Sequence, residues 1–88
     1  MQDLIFFYGE GCSYCVDMEE KIDTLIKEGF NISKLEVWNN MKNDAFLEKL
    51  DNGEEICGGV PFLINNKSGK RICGEATLDE LRSWAKGE

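Results

Sequence analysis

Cys12 and Cys15 stand three residues apart in the run Gly11-Cys12-Ser13-Tyr14-Cys15, a spacing that allows two thiols to open and close as one disulfide. Their position adds to the spacing. The apolar stretch Leu4 to Tyr8 precedes them and reads as a strand, while Met18, Ile22, Leu25 and Ile26 mark one face of a helix over residues 16 to 28. The cysteines therefore sit where strand becomes helix. At a helix start the first backbone N–H groups lack partners and the dipole is positive, which favours a sulfur there as thiolate. Cys12 is the expected nucleophile and Cys15 its resolving partner, one helical turn away and within disulfide reach. The chain has no histidine to act as a base. Activation has to come from the helix terminus, local N–H groups and the hydroxyls of Ser13 or Tyr14.

The other elements must hold this pair in place. Gly29 signals the end of the first helix, and Ile32, Leu35, Val37 and Trp38 mark a second strand, broken by Asn39 and Asn40. A helix through Asp44 to Leu50 follows, closed by Asn52-Gly53. Val60 to Ile64 is an apolar run with Pro61 near its start; Asn65 to Gly69 makes a polar turn, and Lys70 to Cys73 returns as a hairpin partner. Thr77 with Glu80 fits a capping box, ahead of a helix whose buried stripe is Leu78, Leu81, Trp84 and Ala85. The order βαβαββα, with a crossover pair and a hairpin, predicts an α/β fold: a mixed four-stranded sheet flanked by helices, the thioredoxin-fold core.

Composition bounds the rest. Eighty-eight residues with 42% hydrophobic content support a single domain over 1–88, and the only proline is Pro61, so no Pro-rich linker divides it. Ten basic and seventeen acidic residues give a net charge of −7, which argues against nucleic acid or an anionic membrane as partner. The charge runs from −5 over residues 1–28 to −3 over 29–59 and +1 over 60–88. Solvated helix faces account for most of it; steering of basic protein partners toward the cysteine end is the alternative. Leu4 to Tyr8 is too short for a signal-peptide core or a membrane span, so the expectation is a cytoplasmic monomer.

Three segments resemble the glutaredoxin branch of the thioredoxin superfamily, and the likeness spans nearly the whole chain. Met1-Gln2 to Ile5-Phe6 followed by Cys12-Ser13-Tyr14-Cys15 is similar to a glutaredoxin's first strand and Cys-x-Tyr-Cys site. Gly59-Val60-Pro61-Phe62 is similar to the Thr-Val-Pro segment, and Ile72-Cys73-Gly74 to the Ile-Gly-Gly turn. The resemblance implies thiol-disulfide oxidoreductase activity on protein or small-molecule disulfides through Cys12 and Cys15. It also implies a cis Val60–Pro61 bond facing the disulfide, with Ser13, Tyr14, Gly59, Val60, Pro61 and Gly74 contacting substrate. A trans proline that merely starts a strand is the plain alternative.

The departures bear on the electron donor. No base precedes Cys12, where the chain has Tyr8-Gly9-Glu10-Gly11; Gly59 replaces the threonine, and Cys73 replaces the first glycine of the pair. A pocket for glutathione is thus incomplete, and a Trp-Cys-Gly-Pro-Cys pattern that would point to thioredoxin reductase is absent. The expectation is no tightly bound cofactor, with disulfide-containing proteins as substrates and glutathione or a thioredoxin reductase as reductant.

Cys57 and Cys73 leave three readings open: buried apolar thiols, a second redox pair or regulatory thiol, and a metal or iron-sulfur site shared with the first pair. The last is the alternative function, a binding protein rather than an enzyme. The sixteen-residue interval between Cys57 and Cys73 does not repeat the Cys-x-x-Cys spacing of zinc ribbons. Hairpin counting sets Cys73 roughly opposite Pro61, hence close to Cys12 and Cys15. Trp38, Trp84, Phe6, Phe7, Phe46 and Phe62 are expected in the core, and Met18 and Met41 as gap-fillers.

Overall fold

The computed structural model describes residues 3–51 and 59–88. Its elements are β1 (Leu4–Tyr8), α1 (Ser13–Lys27), β2 (Ile32–Glu36), α2 (Met41–Asp51), β3 (Phe62–Asn65), β4 (Arg71–Cys73) and α3 (Leu78–Lys86). The four strands form one mixed sheet in the order β2-β1-β3-β4. β1 pairs parallel with β2 and antiparallel with β3, and β3 pairs antiparallel with β4. The chain is therefore a small α/β protein with a mixed four-stranded open sheet and three helices. Among the described residues no helix is long and apolar enough to cross a membrane.

β1 is apolar at nearly every position because both of its faces are covered. Leu4 and Phe6 point to one side, where Met18, Ile22 and Leu25 of α1 meet Leu63 of β3 and Leu81 and Trp84 of α3. Ile5 and Phe7 point to the other, with Val37, Phe62 and Ile64, against Phe46, Leu47 and Leu50 of α2. Two cores thus share one central strand. Phe6, Phe7, Met18, Ile22, Leu25, Leu63 and Leu81 are fully buried.

Polar groups fix the edges of this arrangement. Thr77 and Glu80 form the capping box of α3, with Thr77 Oγ1 accepting from the Glu80 N–H and the Glu80 carboxylate accepting from the Thr77 N–H. These bonds, led by that from the Thr77 backbone, hold the Glu80 carboxyl below its ordinary range. Asn65 is buried, and its side chain bonds at both ends: Oδ1 accepts from Lys67 and Ser68 N–H, and Nδ2 donates to the Trp84 carbonyl. It ties the β3–β4 turn to α3. Arg82 reaches Glu28 at 2.7 Å, linking α3 to the end of α1.

Four sequence expectations need correction. Trp38 is 57% exposed and Met41 88% exposed, so neither fills the core. Trp38 lies just beyond the end of β2, where the alternation of the strand no longer dictates burial, and Met41 opens α2. α2 begins earlier than Asp44, because Asn40 is a cap rather than only a breaker: its Oδ1 accepts from Asn43 N–H and its carbonyl from Asp44 N–H. β3 starts at Phe62, after Val60 and Pro61, and Cys73 pairs with Phe62 rather than Pro61. Cys73 is also exposed and disulfide-bonded, which removes its reading as a buried free thiol. Cys57, Gly58 and the Asn52-Gly53 stop lie outside the described residues.

Candidate active site

The strand registers gather the chemistry-bearing segments at one end of the sheet. Tyr8, the last residue of β1, stands opposite Glu36, the last of β2. Phe7 stands opposite Phe62, the first residue of β3, and Phe62 opposite Cys73, the last of β4. The chain therefore leaves β1 toward Cys12 at the end where Pro61 leads into β3 and where Cys73 runs into Gly74. The Gly74 N–H donates to the Pro61 carbonyl at 3.0 Å, and the Val60–Pro61 bond is cis.

From β1 the chain turns through Gly9, Glu10 and Gly11. Gly11 has φ +94°, a left-handed conformation that glycine adopts at little cost. The turn closes with the Cys12 N–H donating to the Gly9 carbonyl at 3.0 Å. Cys12 is then the N-cap of α1, in extended backbone conformation, and its Sγ accepts from the Cys15 N–H at 3.2 Å. A sulfur thus takes the role that a serine or aspartate oxygen commonly plays, meeting one of the free donors of the first turn. Cys12 and Cys15 form a disulfide with their Cα atoms 5.1 Å apart.

Both cysteines are buried, whereas Ser13 and Tyr14 between them are exposed. Gly59 is exposed and Val60 half-buried, with Val60 packed against the core on the α2 side of the sheet. Ser13, Tyr14, Val60, Pro61 and Gly74 therefore share one end of the molecule with the disulfide, and Gly59 immediately precedes them. Among the described residues, no group of three or more His, Cys, Asp or Glu side chains is arranged to hold a metal ion.

One residue of this region had no signal in the sequence reading. The Glu36 carboxylate accepts three backbone N–H bonds: Glu10 at 2.9 Å and Trp38 at 3.0 Å on Oε2, and Asn39 at 2.8 Å on Oε1. These donors, Glu10 foremost, hold its carboxyl below the ordinary glutamate range. Glu36 joins the loop that carries Cys12 to the turn that carries Trp38. The indole of Trp38 lies flat against Gly9, close enough that a Cβ at Gly9 would overlap the ring. An acidic residue closing a strand that pairs with the cysteine-bearing one, followed two residues later by tryptophan, is the pattern that marks this contact. Comparison with protein-family models, curated proteins and solved structures finds no match for the chain.

Proposed function

We propose that this protein is a dithiol-disulfide oxidoreductase of glutaredoxin-like, thioredoxin-fold type, reducing protein or small-molecule disulfides with Cys12 and Cys15. The observation that carries the reading is the N-cap role of Cys12. Its sulfur sits on the positive end of α1 and accepts the Cys15 N–H, a place that favours negative charge on Sγ once the disulfide is reduced. The mixed sheet order and the helices on both faces support the fold assignment, since they match the arrangement expected of a thioredoxin-fold core.

The reaction proceeds by two exchanges. Cys12 thiolate attacks one sulfur of the substrate disulfide, forming a Cys12–substrate mixed disulfide and releasing the other substrate sulfur as a thiolate, which takes up a proton. Cys15 then loses its proton and attacks Cys12 Sγ. The Cys12–Cys15 bond forms, the second substrate thiol leaves, and two electrons have passed from the protein dithiol to the substrate. An external thiol, glutathione or a thioredoxin reductase dithiol, returns the protein to its reduced form by the reverse sequence. In the first exchange the exposed Ser13 and Tyr14 and the Val60–Pro61 segment are the substrate contacts, at the same end of the sheet as the sulfur pair.

The alternative reading is a metal- or cluster-binding role for the same cysteines in their reduced form. The discriminating test is trapping. A Cys15→Ser variant mixed with an oxidised peptide should accumulate a covalent adduct located on Cys12 by peptide mass mapping. No adduct, or an adduct at Cys15 in the Cys12→Ser variant, counts against the mechanism.

A further inference from the structure

Among the described residues Trp38 is the largest exposed apolar side chain, and single exposed aromatics need no explanation in themselves. This one is held in place twice. Its ring lies on the backbone of Gly9, whose carbonyl accepts the Cys12 N–H, and its backbone N–H is bonded to Glu36 Oε2, the same oxygen that accepts the Glu10 N–H. A surface tryptophan normally keeps rotational freedom that binding must then remove. Here much of that ordering is already complete in the free protein. Tyr14 and Val16 on the first turn of α1, next to the cysteines in sequence, are exposed as well.

Resting on the dithiol reading, we infer that Trp38 is a specificity-determining residue, forming a rigid aromatic wall for the apolar side chain that flanks the reacting cysteine of a polypeptide disulfide, and that Glu36 is the positioning residue that pins it. The wall discriminates by what the substrate carries beside its disulfide. A polypeptide brings a neighbouring side chain to stack on the indole; a small disulfide without such a group gains nothing from it. Glu36 touches neither substrate nor sulfur. It acts by tying Trp38, Asn39 and Glu10 to one carboxylate, and glutamine, with a single acceptor oxygen, cannot reproduce all three bonds.

The test is a single-turnover comparison with the full chain, pre-reduced, against two probes: a peptide with a disulfide whose cysteine is flanked by leucine, and hydroxyethyl disulfide. The readout is the ratio of the two second-order rate constants, which a general loss of folded protein does not change. Trp38→Ala should lower the peptide-to-small ratio about tenfold, the scale of one well-placed aromatic contact. Trp38→Phe should restore most of it. Glu36→Gln should lower the ratio in the same direction, and the Glu36→Gln/Trp38→Ala double variant should fall no further than Trp38→Ala alone. The assignment is overturned if Trp38→Ala or Glu36→Gln leaves the ratio at the wild-type value, if Trp38→Phe is no better than alanine, or if the two losses multiply. A wild-type protein that reduces neither probe overturns the dithiol reading itself, an outcome distinct from an unchanged ratio.

Discussion

Replacing Cys12 by serine and by alanine separates its two roles, as a nucleophile and as the cap of α1. Both variants lose the Cys12–Cys15 disulfide, so whatever the bond contributes cancels between them. What remains is the contact from the Cys15 N–H to the side chain at position 12, 3.2 Å in length and buried. Serine keeps an acceptor there; alanine leaves the N–H without one. Loss of an N-cap side chain costs about 0.5 to 2 kcal/mol, and an unpaired buried donor about 1 to 3 kcal/mol. Against this stands the desolvation of the serine hydroxyl at a position only 8% exposed, about 0.5 to 2 kcal/mol when partly compensated. The balance leaves Cys12→Ser more stable than Cys12→Ala by about 1 kcal/mol, roughly 4 to 8 °C in Tm for a domain of this size. Urea unfolding followed by circular dichroism, with equal m-values for the two variants, measures the difference. Neither variant should reduce a disulfide. Equal stability, or alanine the more stable, would refute the assignment of Cys12 as the helix cap and with it the electrostatic argument for its thiolate.

Other outcomes follow from the packing and the polar contacts. Asn65→Ala strips the acceptor from Lys67 N–H and Ser68 N–H and leaves the Trp84 carbonyl with only the Gly87 N–H, and thermal unfolding should show a loss of about 1 to 3 kcal/mol. Leu81→Ala opens a cavity where the side chain is fully buried, at a cost of about 2 to 5 kcal/mol by the same measurement. Because folding lowers the Glu36 carboxyl below its ordinary value, its contribution is fully present above about pH 4.3 and is lost as the pH falls through the lowered native value. The stability gap between wild type and Glu36→Gln should therefore shrink on acidification, and a gap independent of pH would contradict the three-bond clamp. Cys73→Ser should yield one more alkylatable thiol than wild type in the unreduced, denatured protein, since its disulfide partner is released.

Periodicity made most of the scaffold legible. The continuous apolar run of β1, the helical stripe of Met18, Ile22 and Leu25, and the Thr77–Glu80 box each correspond to a local rule and match the structure, whereas Ile26, read on the same stripe, is exposed. The misreadings cluster where strands end. Trp38 and Met41 look like core residues by type, but the chain has already left β2, and only the tertiary contact with Gly9 explains where Trp38 lies. Glu36 was invisible because its three partners come from two segments separated by α1. The paired cysteines were legible because spacing and a helix start are both local; the wall beside them is a product of sheet register.

Whether Cys12 and Cys15 pass two electrons to a disulfide is best settled by counting thiols. Pre-reduced protein is mixed with one equivalent of an oxidised peptide, quenched by alkylation, and both chains are mapped by mass. The account predicts that the protein loses two alkylatable thiols, at Cys12 and Cys15, while the peptide gains two. Thiols that persist on Cys12 and Cys15 beside an intact peptide disulfide would contradict it.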